Sequence, residues 1–346
     1  MKPPLLTICL LCHNSEKYIE KTLESLLSQT YPNFEILVSD NQSVDRTLEI
    51  VKDFQKRDSR IVLRKNALDI KPDRFYDGCY SNCNGCINSD LIRGEFVSFC
   101  HSDDTYEKDI AKEEIEFLTK NPGAGAVFTR VNIIDKNSTV IGASKFPKEL
   151  WGKDVYSFIE IFKSLLKHGN NFIITPTFMT RKNVLDDVGL FSYEKTFKTS
   201  ADLEMWLRIA EKYPIGILNK KLASYRTNGE GRAQHHLRKE RADFFATMDY
   251  YLEKTKTRIK IEDAILRQYE CQKYFDDTLL AMNFLIKNDL QSVKKLINKK
   301  LPLSVLVAIF ENITLLRIKV FSLRLIMLLC VNIGLGGPLG RLLSRV

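Results

Sequence analysis

Residues 94–104 read Gly94-Glu95-Phe96-Val97-Ser98-Phe99-Cys100-His101-Ser102-Asp103-Asp104, an apolar run that ends in two adjacent carboxylates. The pattern predicts a buried strand over Glu95–Cys100, with Asp103 and Asp104 projecting from its C-terminal end. Mg²⁺ and Mn²⁺ favour oxygen ligands and take only one or two carboxylates from a protein, leaving the other positions to phosphate oxygens and water. A strand ending in Asp-Asp therefore suits a metal–diphosphate site. The competing reading is a solvated turn in which Asp104 caps the stretch from Tyr106.

Outward from this strand, strand-like and helix-like segments alternate through residue 130, the pattern of a mostly parallel sheet covered by helices. Strands are expected at Leu5–Leu11, Phe34–Val38, Ile61–Leu63 and Ala124–Phe128. Helices are expected at Glu16–Ser28, Asp45–Gln55, Cys83–Leu91 and Lys108–Leu118. Ligands of such sheets bind beyond the carboxyl ends of the strands. His13-Asn14, Asp40-Asn41 and Asp103-Asp104 each follow a strand, so they are expected on one edge. Between 131 and 200 the pattern loosens around one helix, Val155–Lys167. A compact motif, Ser200-Ala201-Asp202-Leu203-Glu204-Met205-Trp206-Leu207-Arg208, then opens a helix that Pro214 stops. A strand at Ile215–Asn219 leads through Tyr225-Arg226 into a polar loop over 227–232, and from Leu237 the pattern is helical.

Composition narrows the class. With 44% hydrophobic and 27% charged residues over 346 positions, this is a folded protein, one large domain plus an appendage. Residues 251–346 carry 16 Lys and Arg against 8 Asp and Glu, a net +8 that leaves +1 of the total +9 for the first 250 residues. The basic character thus belongs to the tail. A nucleic-acid reader would carry a basic stripe and a reading motif on its folded domain, and neither is found. The eight cysteines lie mostly in apolar runs. No His pair stands at zinc-ligand spacing, so reduced, buried thiols are expected. No secretory pattern opens the sequence, and the protein is expected in the cytosol or on its membrane face.

The ordered motifs over residues 5–228 resemble the family-2 class of inverting, nucleotide-sugar-dependent glycosyltransferases with the GT-A fold. Ile8-Cys9-Leu10-Leu11-Cys12-His13-Asn14, with Tyr18-Ile19-x-x-Thr22-Leu23 and Gln29-Thr30-Tyr31-Pro32, is similar to the opening strand and helix of that family. Val38-Ser39-Asp40-Asn41-x-Ser43-x-Asp45 resembles its base-binding turn, and residues 94–104 its metal segment. Asn82-x-Asn84-x-Cys86 and His101 resemble one recurrent branch. Ala201–Arg208 resembles the stretch that carries the catalytic base.

The resemblance implies a GT-A domain over 1–236, Rossmann-like with a mostly parallel sheet flanked by helices, and a helical, basic extension over 237–346. It implies a nucleotide-diphospho-sugar donor, a UDP-sugar first among them, and Mn²⁺ or Mg²⁺. Donor-binding positions would be His13, Asn14, Asp40, Asn84, Asp103 and Arg226, with Asp104 on the metal. Asp202 would be the base, and Glu204, Asn228, Arg232 and His235 would contact the acceptor or close a loop. Alone, Asp40 also reads as an Asx cap, Asp202 as a helix cap, and Glu204 as an exposed residue that Arg208 pairs four positions on. Trp206 reads as core. The chain departs from the family at Asn41, which lacks the second acid of the base turn, and at Tyr225-Arg226-Thr227-Asn228, which lacks a His after Tyr-Arg.

For the tail, the expectation is an interfacial helix pair with Arg317, Lys319, Arg324, Arg341 and Arg345 near anionic headgroups. Its alternative is packing on the catalytic domain or a second subunit, as in a homo-oligomer. The functional expectation is sugar transfer to a lipid-linked or saccharide hydroxyl at the inner membrane face, in cell-surface polysaccharide or glycoconjugate synthesis. Its rivals are a catalytically silent membrane scaffold and nucleotidyl transfer. The last is weakened by the lack of a Gly-rich phosphate loop near the first strand.

Overall fold

Strands β1 (Leu6–Cys12) and β2 (Phe34–Asp40) bury every one of their seven residues, as unbroken apolar runs do in a parallel sheet covered on both faces. The computed structural model describes residues 3–66, 75–193, 197–227, 241–298 and 300–344. Its other strands are β3 (Ile61–Lys65), β4 (Phe96–His101), β5 (Thr105–Tyr106), β6 (Ala126–Ile134), β7 (Val140–Ala143), β8 (Val155–Tyr156), β9 (Phe178–Arg181) and β10 (Ile215–Arg226). They form one mixed sheet in the order β3-β2-β1-β4-β9-β6-β10-β5, with β7 beside β6 and β8 beside β10. The pairs β3–β2, β2–β1, β1–β4 and β6–β10 are parallel; β9 runs antiparallel to both β4 and β6.

The register fixes what reaches the carboxyl edge. Cys12 stands opposite Asp40 across β1 and β2, and Leu11 opposite His101 across β1 and β4. With strands about 4.8 Å apart, the ends of β2 and β4 are about 10 Å from each other. Strand β10 was expected to stop near Asn219. It continues to Arg226 through two register shifts between Leu218 and Ala223, and so carries Arg226 to the same edge.

The helices follow their apolar spacing. Helix α1 (Ile19–Leu27) buries Ile19, Thr22, Leu23 and Leu26, an i, i+3, i+4, i+7 stripe. Helices α2 (Thr47–Arg57), α4 (Ile110–Lys120), α5 (Phe158–His168), α6 (Lys182–Val188) and α7 (Ala201–Lys212) complete this part. Helix α3 spans Phe75–Ile87, eight residues before the start that apolar spacing suggests. Tyr80, Ser81, Asn82, Cys83 and Cys86 are buried, so polar side chains share its inward face and blur the apolar period.

By contact density the chain divides into two compact units, Met1–Phe162 with Asn171–Asn228, and Lys163–Asn170 with Gly229–Val346. The second unit contains α8 (Asp243–Thr255), α9 (Asp263–Ile286), α10 (Leu290–Ile297), α11 (Leu303–Glu311), α12 (Leu315–Asn332) and α13 (Gly336–Leu343). One core joins Cys271 and Phe275 to Val305, Ala308, Ile309 and Val320; another joins Ala281 and Leu285 to Val293, Ile297, Met327 and Val331. Among the described residues no helix is long and apolar enough to cross a membrane.

Two of the tail arginines expected at headgroups are interior instead. Arg317 is 7% and Arg324 1% exposed. Arg317 Nη1 donates to Ala308 O at 2.6 Å and Nη2 to Gln268 Oε1 at 2.6 Å. Arg324 Nη2 donates to Leu296 O at 2.8 Å, and its guanidinium lies 4.1 Å from the centre of the Tyr274 ring. Their charges close the C-terminal end of α10 and the α11–α12 corner, where unpaired carbonyls call for donors. Lys319 and Arg341 are exposed; Arg345 lies outside the described residues.

Candidate active site at the carboxyl edge of the sheet

Asp104 is 1% exposed. Its Oδ1 accepts from the main-chain N–H of Arg226 at 2.7 Å, while Oδ2 has no hydrogen-bond partner. Burial first, and the neighbouring Asp103 second, push its carboxyl up to about 8. A buried carboxyl in that condition takes up either a proton or a cation. The turn that carries it is pinned from below: Thr22 Oγ1 lies 2.6 Å from Asp104 O and 2.9 Å from Ser102 O, and the Ser15 and Ser102 hydroxyls are 2.6 Å apart.

His101, the last residue of β4, faces the same turn. Its Nδ1 lies 4.0 Å from Asp104 Oδ2, and ligand atoms of His101, Asp103 and Asp104 all lie within 4.8 Å of one another. Burial alone would lower the imidazole; the Cys79 thiol, then Asp104 and Asp103, outweigh it and hold His101 up to about 9. An orphaned buried oxygen beside a second carboxylate and an imidazole is a donor set that a divalent cation fits.

Asp202 opens α7. Its Oδ2 accepts from Thr175 Oγ1 at 2.6 Å and its Oδ1 from the Leu203 N–H at 2.7 Å. Burial raises its pKa; the two hydrogen bonds act the other way. His101 and Cys79 both act on its charge, as they do within the Asp103–Asp104 cluster. Asp202 is therefore within electrostatic range of His101 and of Cys79.

The turn after β2 is interlocked with the turn after β1. Asp40, 1% exposed, accepts through Oδ2 from the Ser43 N–H at 3.1 Å, and its Oδ1 lies 3.7 Å from Cys12 Sγ. His13 Nδ1 is 2.7 Å from Asn41 O, the Asn14 N–H donates to Ser43 Oγ at 2.9 Å, and the Val44 N–H donates to Asn14 Oδ1 at 2.9 Å. Asn14 and Gln42 take positive φ, 48° and 60°, a cost of order 1–3 kcal/mol each that the surrounding bonds must hold. His13 and Asn14 are exposed. Asp40 thus does the Asx-cap job in this structure, and its position under the turn sets the turn's shape.

Three predicted site residues have their polar groups committed elsewhere. The Asn84 amide is used at both ends by Phe191, accepting from its N–H at 2.8 Å and donating to its C=O at 2.9 Å, so Asn84 braces the 191 segment. The Arg226 guanidinium donates to Asp103 O at 2.7 Å, Asp135 O at 2.7 Å and Ser138 Oγ at 3.1 Å, and lies 4.2 Å from the Tyr18 ring centre. It clamps the Asp103 turn to the 135–138 loop. Glu204, 5% exposed rather than solvated, is held by Arg208 through Nε at 3.0 Å and Nη2 at 2.9 Å. Trp206 is core, with ring centres of Phe178 and Phe128 4.2 and 5.1 Å away. Asn228, Arg232 and His235 lie outside the described residues.

The sequence reading overlooked a polar layer behind the Asp40 turn. Asn66 donates from Nδ2 to Asn41 Oδ1 at 2.9 Å and from its main-chain N–H to Asp40 O at 2.7 Å. Asn82 donates to Ser39 O at 2.7 Å, and Arg64 Nη1 to Ser39 Oγ at 2.8 Å. A Cβ on Gly85 would stand 2.2 Å from Arg64 Nη2, so that glycine leaves the guanidinium its path. The available signal was Arg64 and Asn66 at the end of a short strand beside two acid-bearing turns.

Sequence and structure comparisons place the chain among known proteins. An uncharacterized glycosyltransferase of Methanocaldococcus jannaschii is 25% identical over 251 residues, 72% of this chain and 79% of that protein. A UDP-Glc:α-D-GlcNAc-diphosphoundecaprenol β-1,3-glucosyltransferase of Escherichia coli is 26% identical over 209 residues, 60% of this chain and 71% of its own length. S. aureus TarS 1–349 in complex with UDP-GlcNAc superposes with a TM-score of 0.56 at 18% identity, covering 85% of this chain and 83% of that one, which establishes the GT-A fold. Residues 7–189, more than half of the chain, match the model for glycosyl transferase family 2, and the protein belongs to that family.

Proposed function

We propose that the protein is a metal-dependent, inverting glycosyltransferase that moves one hexosyl-type sugar from a nucleotide-diphosphate donor, a UDP-sugar first among them, to a hydroxyl of a lipid-linked or saccharide acceptor. The observation that carries this reading is Asp104 Oδ2, a buried carboxylate oxygen without a partner at the carboxyl edge of the sheet, in electrostatic range of Asp202 through His101. The E. coli relative named for transfer to a diphosphoundecaprenol-linked sugar supports the acceptor class and a place in cell-surface polysaccharide synthesis.

In this reading the nucleobase lies against the His13-Asn14 and Asp40–Ser43 turns, whose interlocked backbones form a wall, and Asp103 meets the ribose and phosphates. Asp104 and its neighbours hold the cation, which when bound offsets charge gathering on the departing diphosphate. Arg226 keeps Asp103 and Asp104 in place. Inversion needs an acceptor oxygen attacking the anomeric carbon from the face opposite the leaving group. As that C–O bond forms and the bond to the diphosphate breaks, Asp202 takes the acceptor's proton. Its Thr175 and Leu203 bonds aim the carboxylate, and burial raises its basicity.

Location at the cytoplasmic face of a membrane is part of the proposal. Leu303, Phe310, Leu315, Leu316, Leu329 and Ile333 are 66–75% exposed, all on or beside α11–α13. A crowd of large apolar side chains is a contact surface rather than ordinary scatter, and an interfacial helix group lying on lipid would cover it.

Incubation of the full chain with Mn²⁺, a panel of nucleotide sugars and lipid-linked or saccharide acceptors tests the proposal. The expected result is a product with inverted anomeric configuration by NMR, lost in Asp202→Asn. Transfer with retained configuration, or an Asp202→Asn rate equal to wild type, contradicts it.

A further inference from the structure

We infer that Tyr80 is a positioning residue for Asp202: its hydroxyl holds the turn from which α7 starts, and so sets where the Asp202 carboxylate points. The inference rests on the proposed reading of Asp202 as the base and adds to it the residue that aims that base from another element.

The turn needs an outside hold. Lys198–Ser200 forms a single 3₁₀ turn directly before α7, and Lys198 takes a positive φ of 39°. A non-glycine residue in that region is strained and persists only where its surroundings fix it. Ser200 opens α7 without a side-chain capping bond, and the bond from the Leu203 N–H to Asp202 Oδ1 stays within the helix. Neither of these ties the main chain before Asp202 to another element.

Tyr80, on α3, supplies that tie. It is 6% exposed, and its hydroxyl donates to Thr199 O at 3.0 Å. Its ring stacks on Phe191 and Tyr193, with centres 5.8 and 6.2 Å away, so it cannot swing off the bond. Burial first, and the Asp202 charge second, push the phenol well above the ordinary tyrosine range, which keeps it a donor; the Asp202 main-chain N–H also acts on its oxygen. Helix α3 is itself anchored. Asn82 donates to Ser39 O at 2.7 Å, and Asn84, one turn on from Tyr80, grips Phe191 through both ends of its amide. Through Tyr80 and α3, the start of α7 is therefore referred to the end of β2, where the Asp40 turn begins.

The chemistry makes such a tie matter. A general base works only within hydrogen-bond reach of the proton it takes, about 2.6–3.2 Å between heavy atoms, and a misplacement of about 1 Å costs about 100-fold in rate. Loss of the Tyr80 hydroxyl leaves the turns after β1, β2 and β4 as they are. Its effect therefore falls on turnover and spares donor affinity.

The test uses the full chain as wild type, Tyr80→Phe, Asp202→Asn and the double variant, with circular dichroism confirming each fold. Turnover, donor KM and calorimetric UDP affinity are measured for all four. Tyr80→Phe, which keeps the stacked ring, should lower kcat by about 10–100-fold with donor KM and UDP affinity held within about twofold. It should lower the residual rate of Asp202→Asn no further, because it acts only through that carboxylate. Replacing Tyr80 by p-aminophenylalanine, which keeps a donor toward Thr199 O, should restore most of the rate. Wild-type turnover in Tyr80→Phe, an equal fractional loss in both backgrounds, or a loss confined to donor KM overturns the inference while the transferase reading stands. Wild-type turnover in Asp202→Asn, or no transfer by the wild type, removes that reading and the inference together. Amide hydrogen exchange on the wild type gives a readout that needs no variant: protection of the Ser200 and Asp202 amides is expected, and exchange at the rate of an open loop overturns the inference.

Discussion

The main-chain N–H of Arg226 donates to Asp104 Oδ1 at 2.7 Å, joining the end of β10 to the turn after β4 across 122 residues of sequence. Because the donor is backbone, no substitution at position 226 other than proline removes it. The side chain adds a second clamp, through Asp103 O and Asp135 O, and this one is removable. Arg226→Gln should raise the donor KM about tenfold and lower stability by about 1–3 kcal/mol, the cost of unpairing buried carbonyls. Steady-state kinetics and chemical denaturation check it; unchanged KM would leave the clamp without a role in donor binding.

Asp202→Asn should lower kcat by about 10²–10⁴ while nucleotide affinity stays within a few-fold, because the amide can still accept from the Leu203 N–H and donate to the Thr175 hydroxyl but cannot take a proton. Isothermal titration with UDP alongside turnover separates the two effects. A parallel loss of affinity would recast Asp202 as a binding residue.

Glu114 is 1% exposed, its Oε1 has no partner, and burial pushes its carboxyl well above the ordinary 4.5. With the folded pKa raised, its stabilising contribution is complete below about 4.5 and is lost as pH rises through the folded value, at up to about 1.4 kcal/mol per pH unit. Glu114→Gln should therefore raise Tm at about pH 8 and change it little near pH 4.5. Parallel Tm–pH curves for the two proteins would contradict this.

Arg324→Ala should cost about 2–4 kcal/mol, since it strips donors from Leu296 O, Ile297 O and Thr278 Oγ1 in the helical unit. Lys319→Ala, at an exposed position five residues earlier on the same helix, should stay within about 0.5 kcal/mol. Equal effects in urea titrations would mean that Arg324 is not the internal tie that its contacts describe.

Residues 5–12, 34–40 and 96–104 were legible because unbroken apolar runs followed by acids admit few structures other than buried parallel strands with a polar edge. Periodicity failed at α3, whose inward face carries Ser81, Asn82 and cysteines, and at β10, where the two register shifts interrupt the alternation. Asp40, Asp104 and Asp202 could be singled out as carboxylates at strand or helix ends. What their neighbours do depends on pairings between residues distant in the chain, Asn84 with Phe191 and Asn66 with Asn41, which no local spacing encodes. The tail shows the same limit: Arg317 and Arg324 look like headgroup contacts in sequence, and only the fold reveals the carbonyls they cap.

The central claim is that Asp40, Asp103 and Asp104 share one edge that grips a nucleoside diphosphate through a divalent cation. Calorimetric titration of UDP, GDP and dTDP into wild type and Asp104→Ala, each with Mn²⁺ and with EDTA, tests it most directly. The account predicts binding of at least one diphosphate by wild type with Mn²⁺, weakened at least tenfold by EDTA and equally by Asp104→Ala. Folded wild-type protein that binds none of the three, or binds one equally well in EDTA, would contradict it.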